Sequence, residues 1–353
     1  MITNVLKHMK TVGLSLILSG AALLFSTSCE RVIFDDEGDC TVNYLLKFRY
    51  DKNLKWADAF SNEVKSVRLY VFDENGTLVK EIDDRGSGLA DPDYAVNLDL
   101  PAGRYHLMAW CGVDNEGAAP QFEVPVATVG STRPEALTCR LMRQSDATYP
   151  AYIDDRHQFM FHGELDVDLP DDQEGGDYVY TMYLTKDTNH IRIVLQHLSG
   201  KDLDANDFEF KIEDANGWYA HDNSLLRDET ITYLPFNKTS AEAGIVRDGL
   251  VKTKTAVADL SVGRMMADRQ RDMILTITNP DGKVIARIPV IDYALLAKDY
   301  YELAYNRPMS DQELLDREDE YVMTFFIDEN MDWYSAEIYI LSWRIVLHDY
   351  ELG

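Results

Sequence analysis

The sequence predicts a mainly β fold, two tandem β-sandwiches with a few short helices. Three observations predict it. Apolar and polar residues alternate along most of the chain, the period of a half-buried strand. Turn residues punctuate these runs at intervals near those of a sandwich. Helical spacing is clear only near the C-terminus.

The elements follow in order. Val42, Tyr44, Leu46, Phe48 and Tyr50 alternate with Asn43, Lys47 and Arg49, which reads as a strand. A helix fits between Asp51 and Glu63. Val64 to Phe72 and Thr77 to Ile82 form a hairpin about Asp73-Glu74-Asn75-Gly76, where Asn-Gly tolerates positive φ. Tyr94 to Leu100 and Arg104 to Cys111 are strands separated by Pro101-Ala102-Gly103, and 121–156 shows no clear period. Phe159 to Val167 and Tyr178 to Thr185 are strands around the acidic loop Asp171 to Asp177. A second run begins near Thr188, with Ile191, Ile193 and Leu195 on one face. Phe208 to Glu213, Thr230 to Phe236 and Ala256 to Leu260 continue it. Met273 to Thr278 and Lys283 to Ile288 flank Asn279-Pro280-Asp281-Gly282, the clearest hairpin. Tyr293, Leu296, Tyr300 and Leu303 sit at helical spacing. Ser310 with Glu313 is a capping box, so a helix starts at Asp311 and runs towards Glu320. Tyr321 to Asp328 and Ala336 to Leu347 close the chain as two strands. The boundary falls near Lys186, giving domains 40–186 and 187–353 without a Pro- or Gly-rich linker between them.

Ahead of these lies a leader, 1–28. Lys7 and Lys10 precede an apolar run of fourteen residues, Val12 to Phe25, then Ser26-Thr27-Ser28 and Cys29. That is the layout of a secretory signal. As a helix the run spans about 21 Å, short of a hydrocarbon core of about 30 Å. A cysteine directly after small residues is the lipid acceptor of bacterial lipoproteins, cleaved between Ser28 and Cys29. Ser26-x-Ser28 also suits an ordinary signal peptidase, which would release a soluble chain. Residues 29–39 read as an acidic tether, and Asp35, Asp36 and Glu37 are candidates for a signal to the outer face.

The 353 residues carry a net charge of −27, and the leader contributes two lysines and no acid. Such a surface repels nucleic acid, so that partner is excluded. Four cysteines, one of them Cys29, allow at most one disulfide among Cys40, Cys111 and Cys139. No Cys-x-x-Cys, His-Glu-x-x-His, Gly-x-Ser-x-Gly, phosphate loop or dinucleotide fingerprint occurs. Asp83-Asp84, Asp154-Asp155 and Asp171-Asp172 read as solvated loops, and His157, His162, His190 and His197 as surface or core residues. No catalytic, metal or cofactor site is expected.

The C-terminal run DQELLDREDEYVMTFFIDENMDWYSAEIYILSWRIVLHDYE, Asp311 to Glu351, resembles the closing signature of the fimbrial anchor lipoproteins of Bacteroidota, basal subunits of type V pili. FDDEGDC from Phe34 to Cys40, RYHLMAWCG from Arg104 to Gly112, and Phe161-His162-Gly163 extend the resemblance over most of the chain. It implies two transthyretin-like sandwiches and a Cys29 that is both N-palmitoylated and S-diacylglycerylated. It also implies an outer-membrane, surface-exposed protein with no enzymatic activity, which holds a fimbria at its base and influences its assembly and length. The implied partner is a basal pilin, bound by strand addition, in which backbone bonds supply affinity and alternate side chains supply register. Tyr321, Met323, Phe325, Ile338, Ile340 and Trp343 on the closing strands are candidates to frame that contact; the same alternation also suits core strands. The alternative function is glycan binding, for which five tryptophans, Trp56, Trp110, Trp218, Trp333 and Trp343, supply stacking surfaces.

Overall fold

Alternation fixes the first strand. Val42–Arg49 buries Tyr44, Leu46 and Phe48 and turns Arg49 outward. A computed structural model describes residues 42–348 except 116, 172–174, 247–249 and 341–342, with side chains to residue 333 apart from 243–252. The first strand lies between Gly176–Tyr183 and Val96–Asn97 in a three-stranded sheet. A five-stranded antiparallel sheet runs in the order Thr185–Lys186, Phe161–Leu169, Gly103–Cys111, Ser66–Asp73, Leu78–Arg85. Rings knit the layers together: Tyr50 meets Phe161 edge-on at 4.9 Å, and Phe48, Phe60 and Tyr94 stack at 5.6–6.3 Å.

Ser66–Asp73 is buried on both faces. Val67, Leu69 and Val71 are fully enclosed on one face, while Tyr70 and Phe72 enter a large core on the other. That core continues through Trp110, Cys139 and Tyr219 to Ile193, Leu260 and Phe325. Residues 43–171 and 177–353 form one compact unit, and the expected boundary near Lys186 runs through it.

The second half pairs a six-stranded with a five-stranded sheet. The first has the order Asn237–Val246, Leu250–Gly263, Thr188–His197, Glu320–Ile327, Trp333–Ile340, Trp343–His348. Its central pair, Thr188–His197 with Glu320–Ile327, is parallel, with Ile191 opposite Tyr321 and Leu195 opposite Phe325. The second has the order Val284–Pro289, Ile274–Thr278, Glu209–Asp214, Ile231–Tyr233, Tyr152–Ile153. Its edge strand Tyr152–Ile153 comes from the first half and runs parallel to Ile231–Tyr233. In return Trp218–Tyr219 pairs with Cys139–Leu141. The stretch 121–156, without clear period, thus supplies short strands that stitch the halves together.

Several expectations hold in detail. Asp73 Oδ1 accepts from the amides of Asn75 and Thr77 at 2.9 and 2.8 Å, and Gly76 takes φ +71°. Asn279 Oδ1 does the same for Asp281 and Lys283. Ser310 Oγ accepts from the Glu313 amide at 3.0 Å and starts the helix Asp311–Arg317.

Others need correction. Ala336 to Leu347, expected as one strand, is parts of two, Trp333–Ile340 and Trp343–His348, paired antiparallel with Ile340 opposite Trp343. Apolar residues recur every second position in both strands, so periodicity alone does not separate them. The cysteine count leaves a disulfide open, and Cys111 and Cys139 are both buried free thiols. The helical period near 293 is present in Val290–Leu295 and Lys298–Tyr305, but only Tyr293 of its stripe is buried and the rest faces solvent. Leu296, Tyr300 and Leu303 are 51, 46 and 83% exposed, whereas Ala294, Ala297 and Tyr301 are buried. Asn237–Val246 has no alternation to announce it, being small and polar from Lys238 to Gly244.

Two glycines of the quoted motifs are steric necessities. Gly112 has φ +81°, and a Cβ there would lie 2.0 Å from the Phe159 carbonyl oxygen. A Cβ on Gly163 would lie 2.7–2.9 Å from Leu184 and Met182. Gly112→Ala is expected to lose on the order of 2–4 kcal/mol in urea unfolding. Gly88→Ala, with nothing within 4 Å of its added Cβ, is the control and should unfold near the wild-type midpoint.

Candidate functional site

The segment that carries the resemblance, Leu315 to Tyr321, is a junction between the two halves. The helix Asp311–Arg317 buries Leu314 and Leu315, which aims Asp316 and Arg317 at the first half. Asp316 accepts two bonds from Arg264, Nε and Nη2 both at 2.9 Å, one from Gln312 at 2.8 Å and one from Lys52 Nζ at 2.7 Å. Burial raises the Asp316 carboxyl, but the Arg264 bonds and Lys52 outweigh it and hold it below its ordinary value. Arg317 reaches the Asp51 carbonyl at 3.0 Å and stacks 3.7 Å over Trp56. Trp56 itself is held at φ +54°, and Arg307 lies 4.6 Å over its ring.

A second buried carboxylate completes the junction. Asp187 accepts from Asn223 at 2.9 Å and lies 3.6 Å from Arg264 Nε. Burial raises it to about 7 against the pull of Arg264. Glu318, buried beside Tyr301, which donates to it at 3.1 Å, is raised by burial to about 7 as well. Lys186 is caged between Glu63 and Asp319, with its ammonium 3.9 Å above the Phe159 ring. Nothing in the local sequence announces these partners, since Lys52, Lys186 and Arg264 lie far from 316–319 in the chain.

Sheet edges are the other candidate feature. The six-stranded sheet ends in Asn237–Val246 on one side and Trp343–His348 on the other. Tyr321, Met323 and Phe325 are buried, and their strand is interior, with a neighbour on each side. Ile338 stands opposite Met323 and Ile345, while Trp343 opens the edge strand; the side chains of Ile338, Ile340 and Trp343 lie outside the described residues. Ser28 and Cys29 also lie outside them.

The histidines read as core residues where they are buried. Burial depresses His157 and His162 to about 4, and His162 Nε2 bonds the His221 carbonyl at 2.7 Å. Among the described residues no cluster of three or more His, Cys, Asp or Glu is placed for a metal ion. No described helix is long and apolar enough to cross a membrane. Of the tryptophans, Trp110 is fully buried, and Trp56, Trp218 and Trp333 are half-buried.

Solved structures share this architecture. A candidate adhesin from Bacteroides thetaiotaomicron is 31% identical, with a TM-score of 0.76 over 89% of this chain and 100% of its own. A candidate polysaccharide-binding protein from the same organism is 29% identical, with a TM-score of 0.72 over 88% of this chain and 100% of its own. The fimbrial anchor protein Mfa2 of Porphyromonas gingivalis has the same fold, with a TM-score of 0.62 at 16% identity over 88% of this chain and 100% of its own. A curated relative, the minor fimbrium anchoring subunit Mfa2 of P. gingivalis, is 22% identical over 317 residues, 88% of this chain and 90% of the relative. The class defined by fold and likeness is a β-sandwich protein of the fimbrial and adhesin type. Within that class the chain belongs to the Mfa2 family, the fimbrillin-A associated anchor proteins Mfa1 and Mfa2, whose family model matches residues 36–349.

The junction yields two testable consequences. Asp316→Ala leaves Arg264 and Lys52 without their shared partner and should cost about 3 kcal/mol in urea unfolding. For Asp187 and Glu318 the folded pKa, about 7, lies above the ordinary carboxyl value, so the folded state holds extra protons between about pH 4 and 7. Their contribution is present below pH 4 and is lost as pH rises towards 7. The melting temperature should therefore fall by several degrees between pH 5 and pH 8 by circular dichroism, and Asp187→Asn should flatten the slope.

Proposed function

We propose that this chain is the lipid-tethered anchor at the base of a fimbria. Acylated Cys29, after cleavage behind Ser28, would hold it at the outer face of the outer membrane. The acidic tether, 29–39, would lead to two sandwiches, 40–186 and 187–353, that act as one block. The observation that carries this reading is the match of the anchor family over residues 36–349.

A basal pilin would add a strand to the six-stranded sheet beside Trp343–His348, which among the described residues has a neighbour on one side only. Backbone bonds to an edge strand give affinity with little demand on side-chain identity. In this reading Ile338, Ile340 and Trp343 back the docked strand, and Tyr321, Met323 and Phe325 serve from within the core. The role is structural, without catalysis or cofactor, and it sets fimbrial attachment and length.

Deletion of the gene should shed fimbriae into the medium, and Cys29→Ala should abolish labelling by fatty acid. Proline at Ile345 and at Val346 tests the edge, because successive amides of an edge strand alternate between the sheet and the free side. The proline that removes the outward amide should leave the melting temperature intact and lower pilin co-purification by about tenfold. Undiminished pilin capture by both folded variants would rule out this edge.

A further inference from the structure

Lys186 is a buried primary amine held by two carboxylates from distant parts of the chain. Its side chain is 3% exposed, and Nζ contacts Glu63 Oε2 and Asp319 Oδ2 together. One carboxylate neutralises an ammonium; the second adds a negative charge that burial does not favour. Three rings close the site, Phe159, Tyr50 and Phe161, at 3.9, 5.1 and 5.5 Å from Nζ. A buried amine, two acids and an apolar wall are the parts that amide formation needs.

The backbone holds the amine and Asp319 in place. Lys186 pairs with Phe161 in the five-stranded sheet, and the Asp187 amide donates to the Met160 carbonyl at 2.8 Å. Four residues beyond Lys186, the His190 amide donates to the Asp319 carbonyl at 2.8 Å. The Asp319 amide in turn donates to Glu318 Oε1 at 3.1 Å. Glu63 ends the short helix Phe60–Glu63 and reaches the amine through a longer side chain. Groups fixed against each other in this way react at effective concentrations of about 10⁵ M or higher.

We propose that Lys186 and Asp319 form a modification site, joined by an intramolecular amide between Nζ and Cγ, with Glu63 as the proton carrier. Glu63 takes a proton from the ammonium, and the neutral amine attacks Cγ of Asp319. Nζ keeps one hydrogen. Glu63 passes the other two in turn to the departing carboxyl oxygen, which leaves as water. One N–C bond forms and one C–O bond breaks, with no oxidant or further reactant. The ion pair is the precursor of the bond. The side chains of Glu63 and Asp319, 28 and 25% exposed, open on a cleft of about 600 Å³ through which the water leaves. The link ties the edge of the first half's sheet to the point where the chain enters the centre of the six-stranded sheet. A pull on one half then reaches the other through a covalent bond. The site uses neither the lipid nor the pilin edge, so each assignment can fail alone.

Mass spectrometry of tryptic peptides from the denatured full chain tests this. Trypsin does not cut after an amidated lysine, so peptide 157–192 should appear joined to peptide 318–344. The joined mass should be one water below the sum of the two. Lys186→Arg keeps the positive charge and should give 318–344 as a free peptide. Glu63→Gln keeps the Lys186–Asp319 contact and should also leave the peptides separate. Separate peptides in the wild-type protein, or peptide 157–192 joined to the Glu63 peptide 56–65, would overturn the assignment. A link that forms undiminished in Glu63→Gln would overturn the role of Glu63.

Discussion

The bidentate bond between Arg264 and Asp316, with Lys52 as third partner, is the constraint on which the rest depends. Each member comes from a different part of the chain: the loop after the first strand, the end of the longest strand, and the last helix. None is worth much as an isolated surface pair. Withdrawn from water they become mutually obligatory, because removing one leaves a buried charge unpaired. The network therefore selects one arrangement of the two halves more strongly than it stabilises it. Asp187, drawing on the same Arg264, makes the selection stricter.

Around that point the sheets solve a topological problem. A parallel pair needs a long crossover, and the one joining Thr188–His197 to Glu320–Ile327 contains four strands of the second half's five-stranded sheet, all but Tyr152–Ile153, and the three later helices. The helix Asp311–Arg317 is the last part of that crossover. Its capping by Ser310 fixes where it starts, and Leu314 and Leu315 fix its rotation. Those two choices deliver Asp316 to Arg264 and Arg317 to Trp56, and the chain then enters the centre of the sheet at Glu320. Local rules thus position a non-local clamp. Two-way strand exchange, Tyr152–Ile153 in one direction and Trp218–Tyr219 in the other, removes the freedom that a simple linker would leave.

What the sequence made legible was the local part. Alternation gave the strand at Val42, turn chemistry gave the hairpins at Asn75-Gly76 and Asn279 to Gly282, and the Ser310–Glu313 spacing gave the helix start. Partnership was not legible. No residue near Lys186 specifies that Glu63 and Asp319 will flank it, and no feature of 188–197 specifies a parallel neighbour more than a hundred residues later. Amphipathic spacing misled at Leu296, Tyr300 and Leu303, because the buried faces of these short helices are supplied by other residues, Ile291, Tyr293, Ala294, Ala297 and Tyr301. The edge strand Asn237–Val246 had no pattern to read, since an edge exposed on both faces needs none.

Exposed edges are places where two copies of a chain can pair. An uncovered strand presents free amides and carbonyls to any other strand. Lys186, Arg264 and Arg143 are withdrawn into ion pairs beneath the surface. Each takes acids out of the surface with it, so the surface keeps the excess of acid that the net charge of −27 records. Two copies repel at a distance of about one Debye length, about 8 Å at physiological salt, before their edges meet. A strand from a different protein with less negative charge meets a smaller barrier at the same edge. Cation and acid are thus buried together at the junction, where they fix the halves to each other, and the excess of acid over the whole chain sets the repulsion between two copies.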